Sequence, residues 1–267
     1  MISAFTILSN PDKYKYPWRE SIKSFLPVVD ELVVVYDVYS DPDLRPELEA
    51  MGVRVVSAIF DLRKIGWLSY GIMRTTGYQA CKGDLILMFD ADGILHEKDV
   101  KHTREQAEHF AKRDDIVYGY WGKYRTYSPT DYWIQNKHSG WYNKRILGDN
   151  FDFYHPNRKG IPNWAMLPEK WKQGVQLDAY LFGYEHVWDT REILEERIIN
   201  YGHMRDTQAG KDIQSDEFYL KEYIDNLRNS MQTKGKKRIL AEHPAVIQDK
   251  LKGLTDREFG HSYFNLL

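Results

Sequence analysis

The chain predicts an α/β protein, an open and mostly parallel sheet with helices on both faces. Three observations predict it. Short apolar, β-branched runs alternate with segments of helical spacing. The links between them are short. Acidic residues recur where the strands end, at Asp37, Asp61, Asp90 and Asp92. Ligands of such sheets sit outside the carboxyl ends of the strands, so the shared position of these aspartates matters more than any one of them.

Ile2 to Leu8 is the first strand, broken by Ser9-Asn10-Pro11-Asp12. Trp18, Ile22, Phe25, Leu26 and Val29 recur at helical spacing after Pro17. Leu32-Val33-Val34-Val35-Tyr36 reads as a buried parallel strand ending at Asp37. The acidic, Pro-rich stretch from Asp41 to Glu49 carries a loop and short helix, and Val53 to Phe60 is a third strand ending at Asp61. Leu68 to Cys81 is helical and stops before Gly83. Asp84 to Phe89 is the fourth strand, His96 to Arg113 a helix, and Ile116 to Tyr120 a fifth strand. From Trp121 to Lys172 the pattern loosens into an aromatic and basic stretch, the kind of long connection that often carries function. Ala179 to Tyr184 is a further strand, and Thr190 caps a helix from Arg191 to Tyr201. The remainder is mostly helical and polar.

A length of 267 residues suits one α/β domain with additions. Hydrophobic residues at 42% and charged residues at 28% describe a folded chain rather than a disordered one. A net charge of -2 supplies no global basic field for nucleic acid. Cys81 is the single cysteine, which excludes an intramolecular disulfide and fits a reducing compartment. No apolar stretch approaches the roughly 20 residues of a bilayer span, and the first residues show no basic leader. The expected location is cytoplasmic. Aromatics reach 14%, which suits stacking on flat or sugar-like ligands or an aromatic-rich core.

Asp90-Ala91-Asp92 closes the apolar run Leu85-Ile86-Leu87-Met88-Phe89. Mn2+ or Mg2+ takes carboxylate oxygens and keeps water and substrate phosphates in its shell. An aspartate pair at a strand exit therefore suits a divalent cation held against a diphosphate, whose growing charge it would neutralise. The plainer alternative is that both residues cap the following turn. No G-x-x-x-x-G-K loop, nucleophilic Ser elbow or Cys-x-x-Cys pair is present.

Trp67 through Arg74, then Ala80-Cys81-Lys82-Gly83-Asp84, then Asp90-Ala91-Asp92, resembles the nucleotide-sugar half of family 2 glycosyltransferases. The resemblance covers roughly residues 2 to 120 and continues more weakly through Tyr184-Glu185-His186-Val187-Trp188 and Asn200-Tyr201-Gly202-His203. It departs at Gly93, where many relatives carry an acid, and an obvious Glu-Asp pair for the base is lacking. It implies a GT-A-type fold, an open, mostly parallel sheet flanked by helices with a C-terminal helical extension. Residues 1–204 would form the transferase domain, with 1–120 the nucleotide-sugar half and 121–204 the acceptor half, and 205–267 the extension packed on it. Asp37, with Asp61 and the strand end at Leu8, would contact the nucleotide, and Arg74 its diphosphate. Asp92 would ligate the metal directly, and Asp90 would reach sugar hydroxyls or the metal through water. His186 and His203 are the two candidates for a further ligand.

The acceptor hydroxyl must lose a proton as it attacks. Glu185 is the first candidate for that base, with Asp189 and Asp178 as rivals. A surface salt bridge is the alternative role for Glu185. Trp133, Trp141 and Trp164 are the expected acceptor contacts unless they fill the core beneath a long loop. The expected function is metal-dependent transfer of a sugar, with inversion, from a nucleoside diphosphate sugar to a hydroxyl, with a UDP-sugar the expected donor. The acceptor is a glycan or another hydroxyl compound, nucleic acid included. Two alternatives stand beside it, a sugar-1-phosphate nucleotidyltransferase and a non-catalytic carbohydrate- or nucleic-acid-binding protein on the same fold.

Overall fold

The computed structural model describes residues 1–66, 68–126, 132–153, 174–185, 187–233 and 242–254. Its strands are β1 (Ile2–Leu8), β2 (Glu31–Asp37), β3 (Arg54–Ala58), β4 (Leu85–Met88), β5 (Gly93–Leu95), β6 (Tyr118–Thr126), β7 (Tyr132–Asn143) and β8 (Val175–Gly183). The helices are α1 (Trp18–Phe25), α2 (Arg45–Ala50), α3 (Leu62–Ile65), α4 (Leu68–Ala80), α5 (Val100–Ala111), α6 (Lys144–Leu147), α7 (Arg191–Ala209), α8 (Asp216–Thr233) and α9 (Ala245–Leu251). The strands form one sheet in the order β3-β2-β1-β4-β7-β6-β8-β5.

β3, β2, β1 and β4 are parallel neighbours. Successive side chains of a strand point to opposite faces, and here both faces are covered. Ala4, Leu8, Val34, Leu87 and Phe89 belong to one core with Trp18, Ile22 and Phe25 of α1 and Ala107 and Phe110 of α5. Phe25 stacks on Phe89 at 3.8 Å between ring centroids. Phe5, Val33, Val35, Ile86 and Met88 belong to a second core with Met73 and Tyr78 of α4. A Cβ at Gly77 would lie 2.4 Å from the Phe5 ring, so α4 approaches β1 as closely as only glycine permits.

β7 runs antiparallel to β4, with Met88 opposite Gly140, and β6 runs antiparallel to β7. β8 is parallel to β6, and β5 is antiparallel to β8, with Gly93 opposite Gly183. The sheet is flanked by helices as expected, but it is mixed: parallel from β3 to β4, and largely antiparallel from β7 to β5. It differs in detail within the loosened stretch. β6 extends to Thr126, and β7 supplies a strand that the local pattern did not announce. Trp121 and Trp141 are fully buried there, on β6 and β7. Thr190 caps α7 as expected, its hydroxyl accepting from the Ile193 N–H at 3.4 Å, and α7 continues past residue 204 to Ala209. Among the described residues no helix is long and apolar enough to cross a membrane.

Candidate active site

The connections place a switch point beside β1. The chain leaves β1 through α1 to β2 on one side, and after β3 it returns through α4 to β4 on the other. A cleft outside the carboxyl ends follows from that divergence. A cavity of about 450 Å3 lies there. Ile7, Ser9 and Asn10 reach it from the end of β1, and Asp90, Ala91 and Asp92 from the end of β4. Phe60, Asp61, Tyr70 and Arg74 supply one wall, and Glu185, Glu196, Arg197, Asn200 and Tyr201 supply another.

Strand alternation decides which end residues face the cavity. Ile7 and Ser9 do, whereas Leu8 turns its side chain into the α1 core and is 1% exposed. Asp37 stands one layer back. Its carboxylate accepts from the Ser9 hydroxyl at 2.7 Å and from the backbone N–H groups of Tyr39 and Phe60 at 3.2 Å each. It thereby fixes Ser9 and Phe60, which line the cavity. Asp61 lines it directly and caps α3, accepting from the Lys64 N–H at 3.0 Å. The half-buried Arg74 guanidinium lies 5.7 Å from the Tyr70 ring centroid and has no ion-pair partner among the described residues.

On the opposite wall α7 contributes a stripe. Arg197 and Tyr201 are four residues apart and share a face. The buried Arg197 guanidinium donates to Asp189 at 2.7 Å and to the Glu185 carbonyl at 2.8 Å, and lies 4.9 Å from the Tyr16 ring centroid. Glu185 lines the cavity with its carboxylate 3.9 Å from Arg197. Asp189 is 2% exposed and acts behind Arg197 rather than at the wall. The Tyr70 and Tyr201 hydroxyls meet at 2.8 Å across α4 and α7. Burial raises the pKa of Tyr16 and Tyr70 well above that of a free phenol, so both stay protonated at neutral pH.

His203 is not brought to this wall. Two residues along a helix turn a side chain by about 200°, and with Tyr201 facing the cavity His203 faces α8. There it meets Asp216 at 3.3 Å and the Tyr219 ring at 5.2 Å between centroids. His186 and Trp164 lie outside the described residues. Trp133 of β7 pairs with Arg125 of β6, and its side chain also lies outside them. Trp141 is a core residue stacked on Phe110 at 4.6 Å, not an acceptor contact. Asp178 is exposed and faces His102 at 3.6 Å, away from the cavity.

Asp92 holds a partner that sequence inspection did not pair with it. The Lys123 ammonium of β6 donates to its carboxylate at 2.8 Å, with the two side chains 2% and 7% exposed. Among the described residues no group of three or more His, Cys, Asp and Glu side chains is placed to hold a metal. The aspartate expected to ligate Mn2+ or Mg2+ is thus already compensated by a cation of the chain, and the donor set among the described residues does not fit the ion. Sequence inspection missed Lys123 and Arg197, and also the lining residues Ser9, Tyr16, Phe60, Tyr70 and Tyr201. A lysine in an aromatic strand carries no local mark of burial. Arg197 was findable as the residue four before Tyr201.

No protein-family model and no curated relative matches the chain. Among solved structures, S. aureus TarS 1-349 is 14% identical, with 87% of this chain and 80% of that one covered and a TM-score of 0.44. TarS has also been solved with UDP-GlcNAc. Glucosyl-3-phosphoglycerate synthase from Mycobacterium tuberculosis, solved with Mn2+, UDP and phosphoglyceric acid, is 20% identical over 46% of this chain and 43% of that one, with a TM-score of 0.34. A nucleotidyl transferase from Methanothermobacter is 19% identical over 83% of this chain and 99% of that one, with a TM-score of 0.39.

Proposed function

We propose that this protein is a glycosyltransferase that moves a sugar from a nucleoside diphosphate sugar to an acceptor hydroxyl. The observation that carries the reading is the cavity at the switch point between β1 and β4, lined by the Asp-x-Asp segment together with Arg74 and the Glu185 carboxylate. Ser9, Phe60 and Asp61 suit the nucleoside, offering an apolar ring face beside polar groups for ribose hydroxyls. Arg74 suits the diphosphate, because a planar guanidinium meets phosphate oxygens in pairs. Asp90 is placed for sugar hydroxyls.

Glu185 is proposed as the general base. It takes the proton of the acceptor hydroxyl as the oxygen attacks the anomeric carbon and the diphosphate departs from the opposite face, which inverts the centre. Arg197 fixes the backbone of Glu185 and is itself fixed by Asp189. Tyr16 and Tyr70 remain hydroxyl donors for the sugar or the departing phosphate.

Calorimetry with UDP, GDP, ADP and CMP tests the reading, followed by donor hydrolysis with the nucleotide that binds. Binding of one nucleoside diphosphate, with slow release of sugar from its conjugate, is the expected result. Turnover of a nucleoside triphosphate with a sugar 1-phosphate would replace the reading with nucleotidyl transfer. Binding to polysaccharide or single-stranded nucleic acid alone would replace it with a binding module.

A further inference from the structure

We infer that Lys123 is the built-in counter-cation of the Asp-x-Asp segment, so that this cavity takes its nucleoside diphosphate without a divalent metal ion. The inference rests on the donor-site reading above for its ligand, and on the geometry of Lys123 for its substance.

The Lys123 ammonium is 2.8 Å from the Asp92 carboxylate, and Lys123 is among the largest fully buried side chains of the described residues. Burying a lysine is costly unless it is paired, and the fold is shaped around this pair. β6 carries a pairing irregularity between Tyr120 and Gly122 on the β8 side and between Trp121 and Lys123 on the β7 side. The lysine stem then crosses β8 at Gly183, where a Cβ would lie 2.1 Å from Lys123 Cε. Gly183 itself pairs with Gly93, next to Asp92, and the Tyr184 N–H donates to the Asp92 carbonyl at 3.1 Å. Gly183 and a strand irregularity thus open the path that brings the ammonium to the Asp92 carboxylate.

A divalent ion on Asp92 would have to compete with that ammonium for the carboxylate or sit beside it as a like charge. Either course disfavours the metal. The Asp92 charge is balanced from behind, and Arg74 offers a second cation on the wall for the phosphates.

The test is a Mn2+ titration of the full chain, read by the electron paramagnetic resonance of free Mn2+, beside UDP calorimetry with Mn2+ and with EDTA. The expected result is no Mn2+ uptake that Asp92→Asn removes, and a UDP Kd that agrees within about twofold in the two buffers. Lys123→Met uncovers Asp92 and should raise Mn2+ uptake by about tenfold or more. Should that variant fail to fold, as circular dichroism would report, the wild-type titrations decide alone. Mn2+ uptake by the wild type that Asp92→Asn abolishes, or UDP binding that weakens by about tenfold or more in EDTA, overturns the inference and leaves the donor reading standing. Failure of every nucleoside diphosphate to bind in either buffer overturns the donor reading, and the Mn2+ titration of the free chain then decides the role of Lys123 by itself.

Discussion

Asp189 holds the Arg197 guanidinium at 2.7 Å, with the two side chains 2% and 7% exposed. The pair ties the loop after β8 to α7, because the same guanidinium also donates to the Glu185 carbonyl. Removing one partner of a buried ion pair takes away the counter-charge that offset the other's desolvation. Asp189→Ala should therefore cost about 3–5 kcal/mol of stability, a large share of what a domain has. Asp189→Asn keeps an acceptor oxygen and should lose less. Urea denaturation of the two variants checks the order, and equal loss would show that the oxygen is irrelevant and only the charge counts.

Glu185 lines the cavity with its carboxylate 3.9 Å from Arg197. As the proposed base it acts on the acceptor, away from the nucleotide. Glu185→Gln should lower kcat by about 100-fold or more, while the nucleotide Kd stays within about twofold of the wild-type value. Turnover and calorimetry on the same preparation check the split. A parallel loss of nucleotide affinity would move Glu185 from base to binding residue.

Trp141 was expected to face an acceptor, and its burial reverses the expectation for its variant. The indole is fully buried, stacked on Phe110 with the planes 12° apart. A Cβ at Gly119 would lie 1.9 Å from the indole, so the neighbouring strand gives up a side chain to admit it. Trp141→Ala should cost about 3–5 kcal/mol, the range for a large aromatic removed from a core. Thermal and urea unfolding measure this. An acceptor KM that rises with stability unchanged would restore the residue to the binding face.

The parallel half of the sheet was legible because its strands are buried on both faces. A run such as Val33-Val34-Val35 has no reason to be polar anywhere, and it stands out. The cavity position followed from the same strands, since Asp61, Asp90 and Asp92 end them or follow them closely. β7 was not legible. Tyr132 through Trp141 mixes aromatic, amide, basic and small residues with no clean alternation, and its strand character comes from pairing with β4 and β6. Lys123 and Asp92 are 31 residues apart, and only the fold makes them neighbours. His203 was legible and misjudged, because helical periodicity already separates it from Tyr201. The roles of Leu8 and Asp37 turned on whether a strand-end residue faces the cavity or stands behind it, which requires the register.

Acid should loosen the start of β2, where Glu31 and Asp30 tie it to β1. Burial pushes the Glu31 carboxyl up, but the Ser3 hydroxyl at 2.6 Å, the Lys82 N–H at 2.8 Å and Arg54 at 3.0 Å outweigh it and hold its pKa below the ordinary value. The Asp30 carboxyl is lowered too, chiefly by the Ile2 N–H at 2.8 Å, with burial opposing and Arg104 at 2.9 Å assisting. For both groups the unfolded chain binds protons more readily than the folded one. Their stabilisation is complete above the unfolded carboxylate pKa of about 4 and is lost as the pH falls through that value toward the lower folded pKa values. Glu31→Gln removes one such group. The variant should melt below the wild type at pH 7, and the gap should shrink as the pH drops under about 4. Thermal melts at pH 7 and pH 3 measure the two gaps. A gap of equal size at both pH values would mean that Glu31 stabilises through its shape and hydrogen bonds alone, with no contribution from its charge.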